Sequence, residues 1–167
     1  MRITLLDIKL LSIEEIRRVK NRGNGNWYWL RSPSRYKDYA SCIDTFGFIY
    51  MHGNKINNSQ RDGNDITIRP ALIIKPIQII DSDEIEDNEP LESFLLGEQE
   101  WINVFGDTYL CKEYIGKGYF DDKSNKYETS YINKYIHNWL FNLGFSLNTS
   151  YDLVDDEVIN NDYIYSM

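Results

Sequence analysis

Residues 66–74 read Ile66-Thr67-Ile68-Arg69-Pro70-Ala71-Leu72-Ile73-Ile74, an aliphatic stretch with two interruptions. Its β-branched side chains are typical of a strand. Pro70 has no backbone N–H, so the stretch is predicted to lie at a sheet edge or to bulge there. Arg69 brings a charge into apolar surroundings, and a buried guanidinium needs partners. We therefore predict a structural role for Arg69, that of holding loop carbonyls or carboxylates in place.

A second apolar stretch with an embedded arginine lies upstream, at residues 27–33. Trp29 lies near its centre, Arg31 follows, and Ser32-Pro33 ends it. Arg31, like Arg69, brings a charge into apolar surroundings and needs partners if it is buried. We predict that Trp29 and Arg31 also have structural roles.

Local patterns predict elements in the first half of the chain. The apolar residues 3–11 predict a strand. Ser12 and Glu15 have the spacing of a capping box, which predicts a helix over about 13–20. Gly53-Asn54 is typical of a turn.

The second half contains the clearest patterns. Residues 101–105 and 108–112 flank Gly106-Asp107, and this arrangement predicts a β-hairpin. Apolar residues at helical spacing predict a helix over about 130–143. The tail at residues 151–167 alternates acidic and apolar residues, which predicts either a docked strand or a loose end.

Composition limits the class of protein. The chain has 167 residues, of which 42% are hydrophobic and 14% aromatic; this excludes a disordered protein and fits a single domain. Cys42 and Cys111 are expected to be buried free thiols in a reducing compartment. No stretch approaches the roughly 18–20 apolar residues of a membrane span, and we expect a cytoplasmic protein.

The net charge of −8 is distributed unevenly along the chain. Residues 1–80 carry thirteen Lys and Arg against seven Asp and Glu, whereas residues 81–167 carry five against nineteen. Seven of those acids lie in residues 81–92, which are predicted to form a linker or an exposed loop. Such asymmetry concerns partners rather than fold. It has two interpretations: the acids keep the protein in solution, or they face a basic surface.

The sequence holds no strong catalytic or metal-binding pattern. His52 is predicted to be a turn residue, and His137 a surface or packing residue of the second helix. Zinc-ligand spacings, phosphate-binding glycine loops and nucleophile elbows are absent from the sequence. Asp121, Lys123 and Asn125 match a calcium loop only in part. We expect no cofactor and no metal.

An ordered set of residues nevertheless resembles a known family. The set comprises Trp29-Leu30-Arg31-Ser32-Pro33, Ala40-Ser41-Cys42-Ile43-Asp44, Gly47, Gly53 and Ile68-Arg69-Pro70-Ala71-Leu72. It resembles a domain of unknown function common in Firmicutes and their phages. That domain is similar to the C-type-lectin-like fold of formylglycine-generating enzymes and of the variable proteins of diversity-generating retroelements. The resemblance implies an α+β fold of this type, with short antiparallel sheets and two helices.

A second block resembles the half that precedes this pattern in the family. It comprises Gly97 through Trp101, Phe120-Asp121, Asn125, Tyr127-Glu128-Thr129-Ser130 and Ile132 to Trp139. Here the block follows the pattern, so the resemblance implies a circular permutation, which is tolerated where chain ends meet at the surface. The implied parts are residues 1–80 as one half, 81–92 as an acidic linker, 93–150 as the other half and 151–167 as an acidic tail.

The sequence departs from the enzymes of this fold where their chemistry lies. Formylglycine-generating enzymes hold copper with two cysteines close in the chain, and Cys42 and Cys111 do not match them. The sugar- and calcium-binding motifs of true C-type lectins are absent from the sequence as well. The resemblance therefore implies the fold without those activities, since fold alone does not supply function.

Together these observations predict a non-enzymatic protein-binding module, encoded by a phage or mobile element. Its specific form would be an inhibitor of a host defence system, of the anti-CRISPR type. The partner would be a protein with a basic surface; neither a membrane nor direct nucleic-acid binding is expected, and the oligomeric state stays open. The predicted contacts are Asp83, Glu84, Glu86, Asp87, Asp155, Asp156 and Glu157.

Two alternatives stay open. The first is a virion component, a decoration or receptor-binding protein that uses a lectin-like face and resides in the particle rather than in the host cytoplasm. The second is a copper oxidase, which would require Cys42 and Cys111 as thiolate ligands.

Overall fold

The computed structural model describes residues 1–160. Of these residues, 46% are in strands and 12% are in helices, and seven of the strands close into a β-barrel. The predicted α+β, C-type-lectin-like fold is therefore wrong. The fold is all-β, with two α-helices in the described residues. The reason is that apolar runs from both halves of the sequence, assigned above to separate short sheets, pair with one another around one barrel.

The helices and strands follow one another in this order: β1 (Arg2–Lys9), α1 (Ile13–Ile16), β2 (Trp27–Pro33), β3 (Tyr39–Ile43), β4 (Ile49–Lys55), β5 (Gln60–Arg61), β6 (Asn64–Ile68), β7 (Ala71–Ile80), β8 (Asp83–Glu86), β9 (Ser93–Leu96), β10 (Gln99–Phe105), β11 (Thr108–Cys111), β12 (Gly116–Lys117), α2 (Tyr131–Asn142), β13 (Thr149–Val154) and β14 (Glu157–Ile159).

The barrel is a ring of strands in the order β1-β13-β14-β9-β10-β11-β7, and it closes where β7 pairs with β1. β1 is thus hydrogen-bonded on both sides, to β13 and to β7, in antiparallel register. β8 is attached outside the ring, where it pairs with the last residues of β7. Closure removes the free strand edges that an open sheet would expose.

A second sheet, in the order β12-β6-β2-β3-β4, packs beside the barrel. The chain passes from this sheet to the barrel at Arg69-Pro70, between the end of β6 and the start of β7. The prediction of one strand with an edge position or a bulge at Pro70 is therefore wrong. Two strands of different sheets meet there, and the proline, which has no N–H for either ladder, occupies the junction.

Two apolar clusters hold the fold together. The larger cluster joins barrel residues such as Leu5 and Trp101 to Trp29 of the second sheet and Ile136 of α2. The smaller cluster joins α1, the second sheet and the start of β7, and it includes Tyr28. Both sheets share the larger cluster, so they are packed as one body.

Three local predictions are confirmed. The capping box is present, because Ser12 Oγ accepts from the Glu15 N–H at 3.1 Å and Glu15 Oε1 accepts from the Ser12 N–H at 2.9 Å. Its helix α1 is shorter than predicted. The helix near 130–143 is α2, and the predicted hairpin is formed by β10 and β11.

The turn predicted at Gly53-Asn54 is wrong, because both residues and His52 lie within β4. A Cβ built on Gly53 would lie 1.8 Å from the Ala40 carbonyl oxygen of β3, and the residue has a φ of +72°. Glycine is required here by the close approach of a neighbouring strand and not by a change of chain direction.

The acidic segments also contain strands. The predicted linker, residues 81–92, includes β8, and the predicted tail includes β13 and β14, two strands of the barrel. Tyr163 and Tyr165 of that tail lie outside the described residues. Within residues 1–160, the helices are too short or too polar to cross a membrane.

Candidate functional site

Two hairpins carry most of the predicted contact residues. β7 and β8 are joined by Asp81 and Ser82, and β13 and β14 are joined by Asp155 and Asp156. All four residues have positive φ, with values of 50°, 73°, 52° and 63°. Positive φ at both central residues is the mark of a type I′ turn, which suits the twist of a hairpin and which Asp tolerates better than most residues.

The two hairpins point past the same end of the barrel. Arg2, at the start of β1, is paired with Ile77 of β7 on one side and with Asp152 of β13 on the other. Both neighbouring strands run antiparallel to β1, so both continue beyond Arg2 into their turns. The structure therefore brings together two acidic segments that are far apart in the sequence.

We call this region the acidic end. It comprises nine carboxylates: Asp81, Asp83, Glu84, Glu86, Asp87, Asp152, Asp155, Asp156 and Glu157. It includes all seven predicted contacts, of which Asp87 is half-buried and the others are exposed.

Arg2 links the two hairpins of the acidic end. Its Nε donates to Asp152 Oδ1 at 3.2 Å, and its Nη1 donates to Glu84 Oε1 at 3.2 Å. The hydrogen bond to Asp152 is the largest of the causes that raise the pKa of Arg2. Lys75 neutralises a third carboxylate through its contact with Glu86 at 3.1 Å. These pairs are solvated, so each adds little to stability.

The remaining six acids form no ion pair with a cation of residues 1–160. They are Asp81, Asp83, Asp87, Asp155, Asp156 and Glu157. Their like charges repel one another, and salt screens this repulsion over a Debye length of about 8–10 Å. The acidic end therefore carries a strong negative potential that a basic surface would relieve.

Aliphatic side chains accompany these charges, and sequence reasoning missed them. Ile79 and Ile80 at the end of β7, Ile85 of β8 and Val154 of β13 are 53%, 47%, 48% and 52% exposed. Apolar groups within a polar rim are the usual composition of a protein-binding surface. The signal in the sequence was the length of the aliphatic run, which continues to Ile80 although the barrel covers only its first part.

The three predicted structural residues lie away from the acidic end. Trp29 is fully buried, and its Nε1 donates to the Gly118 carbonyl at 2.8 Å. Arg31 donates to the Leu10 carbonyl at 3.0 Å and forms an ion pair with Glu15. Arg69 is buried as well and donates to backbone carbonyls.

Glu15 has a lowered pKa despite its partial burial. Desolvation alone would raise the pKa of this carboxyl, but the Ser12 N–H and the Arg31 guanidinium both bind the charged form and outweigh it. The carboxylate therefore fixes the start of α1 and the end of β2 to each other.

The two cysteines are buried and free. Burial raises the pKa of both thiols, that of Cys111 to about 12, so they stay protonated at neutral pH. A protonated buried thiol is a poor nucleophile and a poor metal ligand. Residues 1–160 contain no group of three or more His, Cys, Asp or Glu side chains placed to hold a metal ion.

The partial calcium-loop pattern has a different use in the fold. Burial would raise the pKa of Asp121, but backbone N–H groups of Ser124, Lys123 and Tyr131 donate to its carboxylate and lower it. Asp121 thereby organises the loop that precedes α2. His137 is held on that helix by a 2.9 Å contact between its Nδ1 and the Asn133 carbonyl.

Comparisons with known proteins leave the family open. No protein-family model matches the chain, and no curated protein or solved structure shows a significant similarity to it. The resemblance to the Firmicutes and phage domain stays a prediction.

Proposed function

We propose that this chain is a non-enzymatic protein-binding module that docks its acidic end on a basic surface of a partner protein. The observation that supports the proposal is the convergence of two hairpins, distant in sequence, that present unpaired carboxylates and exposed aliphatic side chains side by side. The acids in these turns are not explained by turn geometry, because Asn-Gly is the preferred sequence for a type I′ turn.

The two kinds of side chain have separate roles in this proposal. The carboxylates attract and orient a basic partner from a distance, which raises the association rate at low salt. The aliphatic residues, such as Ile80 and Val154, lose water on contact and slow dissociation. A surface with charges alone would bind fast and weakly, whereas this combination favours a lasting complex.

The partner that fits best is a nucleic-acid-binding protein whose basic groove normally holds phosphates. Carboxylates on two protruding hairpins are able to occupy such a groove in place of a nucleic acid. An inhibitor of a nucleic-acid-dependent host defence system, of the anti-CRISPR type and encoded by a phage or mobile element, is the specific form that we propose.

The test is capture of partner proteins from host lysate by two variants with equal net charge. The first variant neutralises the acidic end through Asp83→Asn, Asp155→Asn, Asp156→Asn and Glu157→Gln. The matched control neutralises four exposed acids elsewhere through Glu14→Gln, Glu113→Gln, Asp122→Asn and Glu128→Gln.

We expect the control to retain its captured partner and the acidic-end variant to lose it. Capture by the unmodified protein should weaken as salt rises, and double-stranded DNA should compete with it. Equal capture by both variants, or capture that salt leaves unchanged, would contradict the proposal.

A further inference from the structure

The other end of β7 carries a cavity of opposite charge. A space of about 300 Å³ opens between the segment that follows α1 and the strands β10 and β11. Arg18, Lys20 and Arg69 contribute three cations to its lining, and none of the lining residues within 1–160 is Asp or Glu. We call it the cationic cavity. Since β7 has ten residues, roughly 30 Å of strand separates it from the acidic end.

Arg69 is a buried cation that forms no ion pair with a carboxylate of the described part of the chain. It is 6% exposed, its Nε donates to the Cys111 carbonyl at 2.6 Å, and its Nη1 donates to the Arg22 carbonyl at 2.8 Å. The guanidinium also lies 4.9 Å from the centre of the Tyr28 ring. Carbonyls and a ring face satisfy hydrogen bonds and stabilise the charge, but they do not neutralise it. The cavity wall therefore keeps a net positive charge in a partly dehydrated setting.

The two cations at the rim are also unpaired. Arg18 and Lys20 are exposed, and neither forms an ion pair with any residue of the described chain. Arg18 is held in place by its guanidinium, which lies 4.1 Å from the centre of the Phe105 ring. Three cations that share one opening give it a positive potential, which attracts an anion.

The surface beside the cationic cavity favours a nucleotide as the source of that anion. A shallower cleft of about 530 Å³ shares Lys20 and Asn21 with the cavity. Phe46 and Phe48 line this cleft and are 83% and 68% exposed, which is unusual for phenylalanine. Exposed aromatic rings beside cations are the typical means of binding bases and phosphates together.

We propose that the cationic cavity binds the phosphate group of a nucleotide, with its base on the side of Phe46 and Phe48. This inference goes beyond the protein-binding role, and it stands on separate residues. It also differs from the expectation that the chain binds no nucleic acid, which rested on the sign of the net charge. The fold separates the charges, so the net value does not describe this end of the molecule.

The experiment measures binding of two probes, AMP and an oligothymidylate of about 12 nucleotides. The test variant is Arg18→Ala/Lys20→Ala, which leaves the buried Arg69 and hence the fold in place. The matched control is Lys37→Ala/Lys134→Ala, which removes two exposed cations elsewhere. Thermal unfolding of each variant verifies that it is folded.

We expect at least one probe to bind the unmodified protein and the control alike, and to bind the test variant about tenfold or more weakly. For the oligonucleotide, loss of two phosphate contacts should reduce the slope of log affinity against log salt by roughly 1.4. A Phe46→Ala/Phe48→Ala variant distinguishes the sources. If the unmodified protein binds the oligonucleotide and this variant does not, the ligand is a nucleic-acid strand. If the unmodified protein binds AMP and not the oligonucleotide, the ligand is a free nucleotide. The proposal is overturned if neither probe binds, or if the test variant binds as tightly as the control.

Discussion

Gly53 illustrates how a single residue is constrained from two sides, by its backbone angle and by a neighbouring strand. Its positive φ excludes most side chains, and the carbonyl of Ala40 occupies the space that a Cβ would need. Gly63 has a similar φ of +78°, yet nothing lies within 4 Å of a Cβ built there. A substitution at Gly63 therefore reports the cost of backbone strain alone, whereas one at Gly53 reports strain and a steric clash together.

We expect Gly63→Ala to lower the free energy of unfolding by about 1–2 kcal/mol, the cost of a left-handed alanine. Gly53→Ala should cost at least about 2 kcal/mol more, because β3 and β4 must also separate. Urea unfolding of the two variants measures both values. Similar losses in the two would indicate that β3 yields to the added methyl group.

Glu15 provides a pH-dependent contribution to stability. Its pKa in the folded chain lies below its usual value of 4.5, so its charged form stabilises the fold above that pH. The contribution should be lost as pH falls from 4.5 through the folded-state value. Glu15→Gln keeps an oxygen acceptor for the Ser12 N–H and removes only the charge.

At pH 7, Glu15→Gln is expected to be less stable than the unmodified protein by about 1–2 kcal/mol. The difference should shrink as pH falls from 4.5 through the folded-state pKa of Glu15, since the carboxyl is then neutral like the glutamine that replaces it. Urea unfolding across this pH range measures the difference. A gap that stays constant with pH would show that the charge of Glu15 is not its source.

At the scale of elements, the same two residues of the β13–β14 hairpin, Asp155 and Asp156, form its type I′ turn and contribute to the acidic end. Replacing Asp155-Asp156 by Asn-Gly supplies the preferred type I′ residues and removes two repelling charges. We expect this variant to be more stable by about 0.5–1 kcal/mol in urea unfolding and to capture less partner protein. Greater stability with undiminished capture would indicate that these acids serve the turn alone.

Local elements were predictable where a local pattern specifies them. The capping box, the periodicity of α2 and the Gly106-Asp107 turn each depend on residues close in sequence, and each is present. Closure of the barrel was not predictable, because β1 finds its partners in β7 and in β13, far along the chain. Gly53 was misassigned because a glycine required by strand packing has the same sequence signature as one required by a turn.

The candidate site was predictable only in part. Charge counting singled out both acidic segments, but nothing in the sequence shows that Glu84 and Asp152 bind the same arginine, Arg2. Ile85 and Val154 went unnoticed because an exposed aliphatic residue in a strand has the same pattern as a buried one. The cationic cavity was hidden for a similar reason, since it joins Arg18, Arg69 and β10 from three separate stretches.

At the scale of the whole molecule, the uneven charge should be measurable without any partner. The acidic-end variant and its matched control carry the same net charge, so they differ only in where the acids are lost. On an anion exchanger at pH 7, we expect the acidic-end variant to elute at lower salt than the control, because clustered charges bind the resin together. Coelution of the two would show that the acids act independently.

The pairing of β1 with β13 also has a consequence for how the chain folds. Arg2 and Asp152 are partners separated by 150 residues, so this seam of the ring is among the most non-local contacts in the protein. The chain loses the entropy of closing that loop before the β1–β13 contacts form and compensate for it. Folding is therefore expected to be slow compared with that of helical proteins of similar size. Until β13 arrives during synthesis, β1 presents one bare edge, and that edge is the place where a nascent or truncated chain is most prone to aggregate.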